Sequence, residues 1–148
     1  MKIALATDHA GFELKEYVKV NLLEIGLEIH DFGAYNYDAL DDYPDFIQQA
    51  AKFISENPKM KAIIFGGSGQ GEAIVANRYK NVRAAVYYGG SIELIKLSRL
   101  HNNSNVLSIG ARFVDHSKII EVIQLWIKTS FEGGRHKKRI DKIDSLKK

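Results

Sequence analysis

The stretch Phe65–Ala73, FGGSGQGEA, sets four glycines and a serine directly after an apolar run and closes on a carboxylate, Glu72. Small residues in such a run let backbone N–H groups face one small anion where a helix begins, here from Gly71 towards Asn77. Gly67, Gly69 and Gly71 supply that backbone, and the Ser68 hydroxyl can donate and accept a proton beside it. Two commoner phosphate loops are excluded. A nucleoside-triphosphate loop ends in Gly-Lys-Ser/Thr, whereas this one ends Gly71-Glu72-Ala73, with no lysine to reach a phosphate. A dinucleotide fingerprint counted from Gly67 puts its third glycine at position 72, which is Glu. What remains is an oxyanion site beside a carboxylate. The helix dipole alone also favours a glutamate in a first turn, and glycines also serve turns, so the loop by itself leaves both readings open.

The elements that must position these residues follow from periodicity. Short β-prone runs stand at Lys2–Thr7, Leu27–Asp31, Ala62–Phe65, Arg83–Tyr87 and Val106–Ile109. Between them, Leu14, Val18, Leu22 and Ile25 recur at helical spacing, as do Ile119, Val122, Ile123, Trp126 and Ile127. Strands that are apolar on both faces and alternate with helices predict an α/β fold, a five-stranded parallel sheet sandwiched between helix layers. Such sheets bind ligands at the carboxyl ends of their strands. The loops there are Thr7-Asp8-His9-Ala10-Gly11, the glycine loop, and Gly110-Ala111-Arg112; His101-Asn102-Asn103-Ser104-Asn105, which closes the helix before the fifth strand, is expected to join them. Asp8 also fits a turn or a cap. His30, in a strand, and His116, at a helix start, are assigned to structure or solvent.

Composition narrows the classes. With 148 residues, 45% hydrophobic and 26% charged, the chain has the balance of one soluble globular domain spanning residues 1–148, and no apolar stretch approaches the roughly 20 residues of a membrane span. The opening MKIALATDHAGF is interrupted by Asp8 and His9 too soon for a secretion signal, so the cytoplasm is the expected location. The absence of cysteine removes disulfides, thiolate metal sites and cysteine nucleophiles. Much of the +3 formal charge comes from the tail RHKKRIDKIDSLKK, which suits a solvated helix face or nucleic acid.

Five segments in register, DHAGFELK, DDYPDF, GGSGQGEAIVANR, RLHNNSNVLSIGAR and EGGRHKKRI, cover essentially the whole chain, and together they resemble the ribose-5-phosphate isomerase B family. That family also contains the galactose-6-phosphate and allose-6-phosphate isomerases. The resemblance implies a three-layer, Rossmann-like sandwich with an extended C-terminal helix, and aldose–ketose isomerisation through an enediolate, with ribose 5-phosphate and ribulose 5-phosphate the expected pair of the pentose phosphate pathway and allose 6-phosphate or galactose 6-phosphate the alternative substrate. Some members use a cysteine at the first position of the glycine loop as the base; here that position is Gly66, and the resemblance moves the role to Glu72. It gives ring opening to Asp8 and His101, substrate hydroxyls to Asn102 and Tyr43, and the phosphate to His9 with Arg112, Arg135 and Arg139. The last two arginines are four apart, hence on one face of a helical tail. Gly67 to Gly71 would stabilise the enediolate, and Ser68 would pass a proton between its oxygens. The terminal helix, with the stripe Ile140, Ile143 and Leu146, is expected to cross to a partner in a homodimer with shared active sites, two dimers pairing into a tetramer being left open. No metal or organic cofactor, membrane or nucleic acid is implied. A non-catalytic flavodoxin-like binding module is the alternative of another class.

Overall fold

A computed structural model of the protein describes residues 1–146, so Lys147 and Lys148 of the basic tail lie outside the described residues. Five strands, β1 (Lys2–Thr7), β2 (Glu28–Asp31), β3 (Lys61–Gly66), β4 (Ala84–Tyr87) and β5 (Val106–Gly110), pair in parallel in the order β2-β1-β3-β5-β4. Six α-helices connect and follow them: α1 (Phe12–Glu24), α2 (Tyr43–Glu56), α3 (Gln70–Ala76), α4 (Ile92–Leu100), α5 (Ile119–Lys128) and α6 (Arg135–Asp144). The sequence-predicted strands are all present, within one residue at each end.

Alternation along the inner strands separates two cores. Ile3, Leu5, Ile63, Phe65, Leu107 and Ile109 point to one face, where Leu14, Val18, Leu22, Ile95, Ile123 and Trp126 from α1, α4 and α5 cover them. Ala4, Ala6, Ala62, Ile64 and Val106 point to the other, under Ile47, Ala50, Ile54 and Ala76 of α2 and α3. Successive residues of a strand face opposite ways, so one apolar run feeds both layers and yields the predicted three-layer sandwich. The helical stripes fit with one exception, since α1 ends at Glu24 and Ile25 beyond it is about half exposed. Of the terminal stripe, Ile140 is buried, whereas Ile143 and Leu146 are exposed.

Strand order also locates the crevice. From β1 the chain moves outward to β2, and from β3 it moves the opposite way towards β4, so the adjacent carboxyl ends of β1 and β3, where Thr7 registers with Phe65, form the switch in strand order.

Candidate active site

At this switch point the glycine loop is wedged between strand ends. Gly69 has φ +78°, and a Cβ there would come within 3.0 Å of the Gly110 nitrogen, so both its backbone angle and the close approach require glycine. The Ser108 hydroxyl donates to the Gly69 carbonyl at 2.6 Å, and the Ala111 and Arg112 N–H groups donate to the Gly66 and Gly67 carbonyls at 2.8 and 3.1 Å. The loop is thereby sewn to the end of β5. The half-exposed Ser68 hydroxyl accepts from the Gln70 N–H at 3.3 Å.

Glu72 stands in the first turn of α3, yet its side chain turns back into the protein. A Cβ built on Gly66 would fall inside the Glu72 carboxyl group, so the carboxylate occupies the space that any side chain at position 66 would need. Glu72 is 4% exposed and Asp8 6%. Burial pushes the Glu72 carboxyl above its ordinary range; its own N–H opposes this, and the negative charge of Asp8 adds to it. Desolvation thus outweighs the backbone N–H at the start of α3. Asp8 is also shifted upward, chiefly by burial, against the N–H of Ala10, which donates to its Oδ1 at 3.0 Å.

Tyr43, at the start of α2, packs its phenol on Gly71, where a Cβ would meet the ring carbon Cζ and the oxygen at 2.7 Å. Arg112 lies across Gly67, its Nη1 3.2 Å from the Cβ position. Next to these, His9, Leu14, Tyr37, Arg112 and His116 line a cleft of about 330 Å³. His116, assigned to structure or solvent by sequence, borders this cleft and bonds the Ala111 carbonyl through Nε2 at 2.9 Å. Asp41 Oδ1 accepts from the His9 N–H at 2.9 Å and from its Nδ1 at 2.7 Å, and that bond raises the His9 pKa. No role falls to Asp41 in sequence, although it opens the quoted DDYPDF; the 32-residue separation from His9 hides the pair.

A profile of the family described as Ribose/Galactose Isomerase matches residues 3–143. The chain belongs to that family. Ribose-5-phosphate isomerase B of Mycolicibacterium paratuberculosis is 38% identical over 142 residues, which cover 95% of this chain and 88% of the relative. The crystal structure of ribose-5-phosphate isomerase B from Mycoplasma genitalium with bound ribulose-5-phosphate superimposes with a TM-score of 0.91 at 38% identity, covering 97% of this chain and 93% of that one. The ribose 5-phosphate isomerase of Thermotoga maritima gives 0.91 at 40%, covering 98% of each.

Against the family's expected residue set, one group stands apart. His101 caps the carboxyl end of α4, and a crossover helix runs back to the amino ends of the strands, so His101 and Asn102 lie at the end of the sheet opposite Glu72. The expectation that they share the ligand-facing end is corrected by the direction of α4. Asn105 of the same loop accepts from the Arg83 N–H and donates to the Asn81 carbonyl, both at 2.8 Å and both just before β4. Arg135 and Arg139 are exposed on α6, and Glu132, just ahead of that helix, ties to α4 through an N–H bond to the Leu100 carbonyl at 3.1 Å. Glu72, Ser68, Asp8, His9, Tyr43 and Arg112 therefore gather at the carboxyl end of the sheet, and His101 and Asn102 at the opposite end, with Arg135 and Arg139 on α6, which the Glu132–Leu100 bond ties to α4. No helix among the described residues is long and apolar enough to cross a membrane.

Proposed function

We propose that the protein interconverts ribose 5-phosphate and ribulose 5-phosphate through an enediolate, with Glu72 as the base. The observation that carries this reading is a carboxylate 4% exposed, seated on a glycine at the switch point of the sheet, with its basicity raised by burial. Glu72 takes the proton from C2 of the open aldose and returns it to C1 of the enediolate. Backbone N–H groups of Gly67 to Gly71 stabilise the oxyanion, and Ser68 moves a proton between the two oxygens. Asp8, whose raised pKa favours retention of a proton, serves ring opening together with His101. Tyr43 and Asn102 hold substrate hydroxyls. His9 and Arg112, on one cleft, take the phosphate with Arg135 and Arg139, a planar guanidinium matching phosphate oxygens in pairs.

The separation of the two residue groups is met by a second copy of the chain. In a two-fold dimer, His101, Asn102, Arg135 and Arg139 of one protomer complete the site around Glu72 of the other. The reaction is assigned to the cytoplasm, an assignment supported by the cysteine-free composition.

The test is turnover of ribose 5-phosphate by the wild type and by Glu72→Gln, with allose 6-phosphate as a second substrate and circular dichroism as a check on folding. A folded variant that loses at least ~100-fold in kcat supports Glu72 as the base. Turnover of allose 6-phosphate in preference to ribose 5-phosphate moves the assignment to a six-carbon sugar, and inactivity on both removes it.

A further inference from the structure

Within one chain, at the end of the sheet away from Glu72, the ring-opening residue His101 converges with a second imidazole and a carboxylate to which the proposed reaction gives no role. The rings of His101 and His136 stack with centroids 4.2 Å apart and 14° between planes. Both turn Nε2 towards the same atom, Glu132 Oε2, at 3.8 Å from His101 and 3.9 Å from His136. Neither separation is a hydrogen bond. The His136 Nε2 is buried and has no hydrogen-bond partner among the described residues, on a side chain only 7% exposed. A buried polar atom without a partner is destabilising, a cost that an occupant of the space between the three groups would remove.

We propose that His101, Glu132 and His136 bind one divalent transition-metal ion of the zinc type. Two imidazoles and one glutamate are a three-ligand zinc set, with the fourth position left to water or an anion. The three donor atoms all lie within 4.8 Å of one another. Bonds of 2.0–2.2 Å bring tetrahedral ligand atoms to about 3.3 Å apart, so the two imidazole–carboxylate separations of 3.8 and 3.9 Å must each close by roughly half an ångström. His136 is fixed in the fold, whereas Glu132 is 58% exposed and His101 38% exposed, so these two side chains can swing inward and fan the stacked rings apart.

A second trio of donors, Asp8, His9 and Asp41, is less suited, because the His9 Nδ1 is already bonded to Asp41 and two carboxylates outnumber one imidazole. Occupation of the first site would engage the His101 Nε2, so ion and sugar would compete for it. That consequence rests on the isomerase reading; the binding itself does not.

The experiment uses the full chain, stripped of metal by a chelator and titrated with Co²⁺ and then Zn²⁺. Equilibrium dialysis should count one Co²⁺ per chain, with the intense visible absorption of a four-coordinate ion, displaced by one equivalent of Zn²⁺. Glu132→Gln and His101→Gln, neither of them in the buried core, should each weaken binding by at least ~10-fold while circular dichroism stays unchanged. His9→Gln should leave the spectrum as it is. Absence of saturable binding, a pale six-coordinate spectrum, undiminished binding in both Glu132→Gln and His101→Gln, or loss of the spectrum in His9→Gln would each overturn the proposal.

Discussion

Gly66 and Glu72 compete for one volume. The carboxylate rests where a Cβ at position 66 would be, so Gly66→Ala must push the proposed base out of place even though it adds a single methyl group. A displacement of about an ångström at the reacting atoms costs on the order of 100-fold, and we expect Gly66→Ala to lose that much in kcat while still binding sugar phosphate. Steady-state kinetics on ribose 5-phosphate decides it, and a Gly66→Ala variant that keeps the wild-type kcat would show that the carboxylate need not sit there. Asp41 offers a second residue-level prediction. Its bond raises the His9 pKa, so the cationic form, and with it phosphate affinity, is present below that pKa and fades as pH rises through it. Asp41→Asn should move this fading to lower pH and raise KM by about 10-fold near neutrality, with kcat little changed. A KM–pH profile that does not move would leave Asp41 a purely structural partner.

Among the elements, α1 and the segment after β2 are joined by a lysine that never meets solvent. Lys15 is 0% exposed, and its Nζ donates to both oxygens of Asp31 at 2.8 and 2.9 Å and to the Ala34 carbonyl at 2.8 Å. The same segment donates and accepts backbone bonds at Thr7, beside Asp8: the Thr7 N–H reaches the Gly33 carbonyl at 2.7 Å, and the Ala34 N–H the Thr7 carbonyl at 2.8 Å. Removal of one partner leaves a carboxylate poorly compensated, so Lys15→Met should destabilise by about 3 kcal/mol in urea unfolding, Lys19 at 2.8 Å still pairing with Asp31. A loss below about 1 kcal/mol would mean that Lys19 takes over the pairing. Such features mark the limit of what is legible in the chain. Strands such as KIALAT and VLSI announce themselves through apolar runs, and the glycine loop through composition. The burial of Lys15, by contrast, depends on a helix laid over a particular sheet edge. His101 misleads for a different reason: its neighbours in sequence are polar like those of a ligand loop, but the end of the sheet it occupies is set by helix direction.

At the scale of the whole molecule, the proposed reaction needs residues that one chain keeps apart. Glu72→Gln and His101→Asn, each inactive alone, should therefore complement each other when co-expressed. Random pairing gives half mixed dimers with one intact site of two, hence about a quarter of wild-type activity. Absence of any recovery, with dimers verified by ultracentrifugation, would place the complete site within one chain. Strand order also governs the timing of assembly. Every pairing in the sheet is parallel, and even the shortest, Ala84 with Val106, spans all of α4. The switch point joins Thr7 to Phe65 across two helices and a strand, so the crevice closes only after the chain has absorbed a long loop's entropy. A nascent chain can thus hold helices and part of its sheet while possessing no crevice, and isomerase activity during refolding should appear no earlier than the last slow phase of sheet closure.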